Sequence, residues 1–319
     1  MKPVILLTGK NGQIGAELLQ SLPQMGEVVA LDREHLDLSK PDDIRRAIRE
    51  IRPTIIVNAA AYTAVDQAET DEMMAQAVNG EAPGVMAKEA KKIAAALVHF
   101  STDYIFDGSK KTPYDEADSA NPINVYGKTK FAGEQAIRRS GVPHLIFRTA
   151  WVYAKRGRNF LLTILRLATE REELRIVSDQ LGAPTCASDV AAATNQILAG
   201  ICERNNGRFV FPEVSGTYNM SAAGQTTWYD FAKTILEKAG ATSHDLVWLA
   251  AATRGRPLIA RRVIPISTEE FRSPTTRPAY SVLSNSRLIQ TFGAALPDWH
   301  AQLQRCFVSD STAANCGAD

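Results

Sequence analysis

The stretch Val4–Ala16, VILLTGKNGQIGA, decides the fold. It opens on four apolar residues, Val4–Leu7, a run that suits a strand buried on both faces. Three glycines follow at Gly9, Gly12 and Gly15, spaced G-x-x-G-x-x-G, and Gln13–Leu22 then takes on a helical apolar spacing. Glycine accepts the positive φ of a tight turn and lets the backbone approach a phosphate. The start of the next helix offers unpaired N–H groups and a positive dipole end. Strand, glycine turn and helix in that order predict a pyrophosphate cradle formed by Gly9, Gly12, Gln13, Ile14 and Gly15.

Outward from that unit the pattern repeats. Apolar runs at Val28–Leu31, Ile55–Val57, Leu97–Phe100 and Leu145–Phe147 alternate with helical spacings at Ile44–Ile51, Met73–Lys91 and Val125–Arg139. Such an order predicts an α/β fold with a doubly wound parallel sheet. Asp32 closes the second run, where a carboxylate accepts hydrogen bonds from adenosine ribose hydroxyls. Arg33 beside it tolerates a 2′-phosphate. Asp37 and Leu38 are expected near the adenine, and the small residues Ala59–Ala61 let the chain pass close to a cofactor. Beyond Thr149 the pattern loosens, with helical stretches at Phe160–Glu172, Ser188–Leu198 and Thr227–Ala239. Pro-rich irregular segments lie at Arg256–Pro257, Ile264–Pro265 and Ser273–Pro278. We expect a dinucleotide-binding domain over residues 1–150 and a smaller, mainly substrate-binding domain over 151–319. Arg175–Val177 and Thr217–Met220 are expected to return to the first sheet, and the polar tail Ser309–Asp319 to fray.

Thr102 follows the fourth run, and Tyr126-Gly127-Lys128-Thr129-Lys130 begins a helix, with Tyr126 and Lys130 four residues apart on one face. This trio suits carbonyl reduction. Hydride arriving at a carbonyl carbon builds negative charge on its oxygen; Tyr126 is placed to donate a proton there and Thr102 to align it. A free phenol titrates near 10. A Lys130 ammonium at roughly 4 Å, at an effective dielectric of about 20, would favour the phenolate by about 4 kcal/mol before desolvation.

A net charge of +1 supplies no electrostatic reason for a nucleic-acid or membrane partner. The four cysteines (Cys186, Cys202, Cys306 and Cys316) are far apart, without metal spacing, and read as reduced thiols. With no signal-like or membrane-spanning run, the expected location is cytoplasmic.

The glycine turn, Ile55–Glu69 (IIVNAAAYTAVDQAE), Ser101–Gly108 (STDYIFDG), Asn121–Glu134, Phe147–Tyr153, Asp179–Thr185 and Thr226–Ala232 together resemble the extended short-chain dehydrogenase/reductase family, of Rossmann type. Within it they resemble the branch acting on nucleotide sugars. The implied activity is reduction of the C4 ketone of dTDP-4-dehydro-L-rhamnose by NADPH or NADH, in rhamnose and surface-polysaccharide biosynthesis. The resemblance makes Tyr126 the proton donor, Lys130 its partner and Thr102 the positioning hydroxyl. It assigns Ala61, Tyr62 and Thr63 to the cofactor, and Asp103 and Trp151 to the sugar nucleotide. Some members dimerise through magnesium held by acidic side chains. Glu17 matches one such position, but Ser188 stands where the other carboxylate is expected, with Asp189 next to it. The expectation is therefore no metal site and a monomer or weak homodimer. Two alternatives remain at this level. One is a nucleotide-sugar dehydratase or epimerase, although Thr102 precedes only one acid, Asp103-Tyr104. The other is a cofactor-binding regulatory subunit like the β subunit of methionine adenosyltransferase.

Overall fold

The computed structural model describes residues 2–204, 209, 211, 213–242 and 246–308. The tail Ser309–Asp319, with Cys316, lies outside the described residues. The five apolar runs form strands β1 (Val4–Thr8), β2 (Glu27–Leu31), β3 (Ile55–Asn58), β4 (Ala96–Thr102) and β5 (His144–Thr149). Gly216–Asn219 adds a sixth strand beside β5. The order across the sheet is Gly216–Asn219, β5, β4, β3, β1, β2, parallel throughout.

Alternation along the strands divides the core. Leu7, Val57, Val98 and Phe147 face helix α1 (Gln13–Ser21) and helix Ala187–Arg204, where Leu18 and Ile197 meet them. Leu6, Ile56, Leu97 and Ile146 face the other way. They pack with Ile44, Met86 and Ile137 from helices Pro41–Ile51, Ala82–Lys92 and Val125–Ser140. Each fully buried aliphatic side chain of this kind contributes about 1.5–3 kcal/mol. The helices start where local chemistry allows: Pro41 fixes φ in the first turn ahead of Asp42 and Asp43, and the Asn124 side chain accepts from Gly127 N.

Strand β1 has β2 on one side and β3 on the other, so the chain leaves it in both directions and a crevice opens at the carboxyl ends. The helical run after β3 is not uniform. Glu72–Ala75 and Ala82–Lys92 are α-helical, but Gln76–Glu81 between them is π-helical. Pro83 has no N–H for the Asn79 carbonyl, and its ring would crowd that carbonyl in an α turn; the wider turn relieves both.

Two expectations about the second half fail. Gly216–Asn219 joins the main sheet, but Glu173–Val177 pairs with Arg262–Ile266 in a separate two-stranded parallel sheet. The Ile264–Pro265 segment, expected to be irregular, is therefore a strand. A two-stranded sheet has only edges, so the missing Pro265 N–H faces no partner strand. Around it Leu161, Leu165, Phe231, Ile235, Trp299 and Leu303 form a core of their own.

Candidate active site

A cleft of about 880 Å³ runs along the carboxyl ends of the sheet. All the sequence-predicted site residues except Gly15 line it. Gly15 lies beneath: a Cβ there would stand 2.1 Å from the Gly9 carbonyl oxygen. Gly9 itself has φ +75°, and a Cβ on it would meet Ala60 N at 2.7 Å. The turn thus needs glycine both for its angle and for its closeness to the end of β3. No side chain caps α1, so its first N–H groups face the cleft uncapped.

At this end of the cleft Asp32 is already engaged. His35 Nδ1 stands 2.6 Å and Lys10 Nζ 3.1 Å from its oxygens, with Asn11 Nδ2 at 3.3 Å. The His35 hydrogen bond, followed by Lys10, holds the carboxyl far below the usual range. Asp37 is likewise lowered, by the Ser39 hydroxyl and N–H. Tyr62 is pinned by the π-helical segment: its N–H donates to Asn79 Oδ1 at 2.9 Å, and Asn79 Nδ2 donates back to its carbonyl at 3.0 Å.

At the other end Thr102, Tyr126 and Lys130 come together. Thr102 Oγ1 accepts from Tyr104 N at 3.2 Å, donates to Asp103 Oδ1 at 3.1 Å, and stands beside the Tyr126 phenol. Burial pushes that phenol up to about 12. The Lys130 ammonium does not lie on it. It donates to the Phe100 carbonyl at 2.6 Å, with His99 Nε2 at 3.3 Å, and burial lowers it to about 8. A fully buried cation takes the acceptor within reach, which here is a carbonyl of β4 rather than the phenol. Asp103 is also buried, with Oδ2 unpartnered, and burial raises it to about 6.

Trp151 lies in the cleft as expected, with its indole already packed against the protein. It stacks on Trp228 with centroids 3.5 Å apart and planes 5° from parallel. Its backbone is left-handed, φ +45°, and Gly182 lies against the indole. Trp228 and Phe160 are cleft residues that sequence reasoning missed. Trp228 was visible within Thr226–Ala232 without a reason to single it out. Arg158 and Arg277 also line the cleft. Arg277 comes from the Pro-rich segment, ion-paired to Asp66 at 2.8 Å, and no pattern marked it.

Of the residues considered for magnesium, both carboxylates face cations of the chain. Glu17 faces Arg156 at 3.7 Å, Asp189 pairs with Arg305, and Ser188 Oγ is 3.2 Å from Cys186 Sγ. Among the described residues, no three His, Cys, Asp or Glu side chains stand together as a metal site, and no helix is long and apolar enough to cross a membrane.

The family described as RmlD substrate binding domain matches residues 1–311. A dTDP-4-dehydrorhamnose reductase of Burkholderia thailandensis is 47% identical over 95% of this chain and 97% of its own length. The Escherichia coli K12 enzyme of the same name is 41% identical over 94% and 96%. The crystal structure of dTDP-4-dehydrorhamnose reductase from Bacillus anthracis, in complex with NADP, superposes with a TM-score of 0.82 at 34% identity, covering 96% of this chain and 98% of that one. With a glycine turn, a Thr-Tyr-Lys cluster and matches of this length, the chain belongs to the RmlD substrate-binding-domain family, that of the dTDP-4-dehydrorhamnose reductases.

Proposed function

We propose that the protein reduces the C4 ketone of dTDP-4-dehydro-L-rhamnose to the alcohol of dTDP-L-rhamnose, using NADPH or NADH. The observation that carries this reading is one continuous cleft. It has a glycine cradle at one end and Thr102, Tyr126 and Lys130 at the other, in a chain whose relatives bear that name. The cradle fits a dinucleotide: the glycine turn, held close against Ala59–Ala60, keeps side chains out of the way, and the uncapped N–H groups of α1 suit a pyrophosphate.

In the mechanism we infer, Asp32 and Lys10 meet the adenosine ribose, and Tyr62 and Thr63 flank the path toward Lys130. When bound, the nicotinamide supplies the hydride. Tyr126 donates its phenolic proton to the C4 oxygen as charge builds there, and Thr102 holds that oxygen in line. At a phenol pushed up to about 12, the proton leaves readily only toward a strongly basic oxygen, which ties its transfer to hydride arrival. Asp103 and the Trp151–Trp228 pair bound the sugar, and Arg158 and Arg277 bring positive charge for its diphosphate. We read residues 1–150 as the cofactor unit and the remainder as mainly the substrate unit. A regulatory-subunit reading is not favoured, since the named relatives are reductases.

The test is an assay of the purified protein with the keto sugar, generated in place by its upstream epimerase. Loss of reduced-nicotinamide absorbance that depends on the sugar is expected. No turnover with either cofactor would reject the reading.

A further inference from the structure

Behind Tyr126 and Lys130 a chain of polar groups crosses three strands. Thr8 Oγ1 donates to Asn58 Oδ1 at 2.7 Å, and Ala60 N–H donates to the same oxygen at 3.2 Å. Asn58 Nδ2 meets His99 Nδ1 at 3.0 Å, and His99 Nε2 meets Lys130 Nζ at 3.3 Å. Thr8, Asn58, His99 and Lys130 are each at most 2% exposed, so solvent does not complete their hydrogen bonds.

The donors and acceptors fix one arrangement. A backbone N–H is only a donor, so Ala60 holds the Asn58 oxygen toward itself and turns the amide nitrogen toward His99. That nitrogen is also only a donor, so His99 Nδ1 must carry the lone pair. A neutral imidazole has one proton, which then sits on Nε2 and faces Lys130. We propose that His99, held by Asn58 in the Nε2–H tautomer, is a positioning residue for Lys130: it turns a donor toward the amine, opposes its charged form and keeps its proton loosely held. The inference rests on the proposed reduction, with Lys130 as the partner of Tyr126.

The other groups around Lys130 are consistent with this balance. On its own helix Glu134 favours the ammonium, but Arg148 at 2.8 Å, Arg138 at 3.2 Å and the Ser101 hydroxyl already occupy that carboxylate. Tyr126 precedes it by one turn as a neutral phenol. Strand β4 contributes His99 and the Phe100 carbonyl, and β3 only the neutral Asn58. His99 is itself kept uncharged, its pKa driven well down by burial and by Lys130. The consequence is an amine that holds its proton loosely: charged, it donates to the Phe100 carbonyl, and neutral, it accepts a hydrogen bond from His99 Nε2–H.

Two measurements test the proposal. In histidine-labelled protein, ¹⁵N–¹H correlation spectra report which ring nitrogen carries the proton. The His99 signal, identified by its loss in His99→Gln, is expected to show protonated Nε2 and bare Nδ1; the opposite tautomer overturns the idea. This spectrum needs no turnover, so it is independent of the reaction assigned above. In the second measurement, the basic limb of kcat/KM is expected near the Lys130 value of about 8. In His99→Gln an amide oxygen can accept from the ammonium, which should move the limb up by about one pH unit or more; an unmoved limb overturns the idea. If His99→Gln does not fold, Asn58→Asp serves, because its carboxylate accepts from Nδ1–H. The tautomer should then reverse, and an unchanged one would contradict the assignment.

Discussion

Tyr126 is the residue on which the proposed chemistry turns, and its environment makes the claim sharp. Burial raises the phenol, Thr102 stands beside it, and the Lys130 ammonium donates to the Phe100 carbonyl instead. Tyr126→Phe keeps the ring and its edge contact with Tyr104, centroids 5.6 Å apart, but removes the proton. We expect kcat to fall about 100-fold or more, in keeping with general acid catalysis, with cofactor affinity little changed. Steady-state kinetics and a cofactor titration check this, and near-normal turnover would remove Tyr126 from the mechanism. Asp32 supports a second prediction. Its carboxylate neutralises Lys10 at 3.1 Å and engages His35. Asp32→Ala removes the acceptor for a ribose 2′-hydroxyl and releases Lys10 toward a 2′-phosphate. The Kd for NADH should rise while that for NADPH holds or falls; equal weakening of both would show that Asp32 only shapes the turn.

The elements show how far sequence reasoning reaches. The five parallel strands and their helices were legible because buried strands are apolar throughout and their helices carry an amphipathic period. Thr102, Tyr126 and Lys130 were legible because each sits at a strand end or on one helix face. What stayed hidden depends on contacts distant in sequence. The π-helical turn before Pro83 is aimed by Asn79 at Tyr62, seventeen residues away. Trp228 reaches Trp151 only once helix Trp228–Ala241 docks beside Leu181–Gly182, which pairs with Thr226–Thr227. Gly182 shows the cost of that closeness: a Cβ there would come within 2.3 Å of the Trp151 indole, whose far face is covered by Trp228. In Gly182→Ala the ring has nowhere to retreat, and overpacking of this kind costs about 1–3 kcal/mol. The expected outcome is a lower Tm with KM for the sugar nucleotide raised more than KM for the cofactor. Unchanged values for both would mean that Trp151 moves freely and does not bound the sugar.

At the scale of the whole molecule, the surface charges bear on assembly. A magnesium bridge between two copies would need carboxylates free to bind a hard cation. Glu17 faces Arg156, Asp189 is paired with Arg305, and Ser188 supplies a hydroxyl already beside Cys186 Sγ. Magnesium would have to displace two guanidinium groups and would then still lack one charged ligand. Burial moreover raises the Asp189 carboxyl from its ordinary value, which further weakens it as a ligand. The inferred proton and hydride transfers likewise call on Tyr126, Thr102 and Lys130 rather than on a Lewis acid. We therefore expect light scattering to give the same mass with and without EDTA, that of a monomer or weak dimer, and turnover to persist without added magnesium. A dimer that dissociates on chelation would show that Glu17 and Asp189 exchange their arginines for the metal when two copies meet. The reading of Ser188 would then fall, while the assignment of Tyr126 would be untouched.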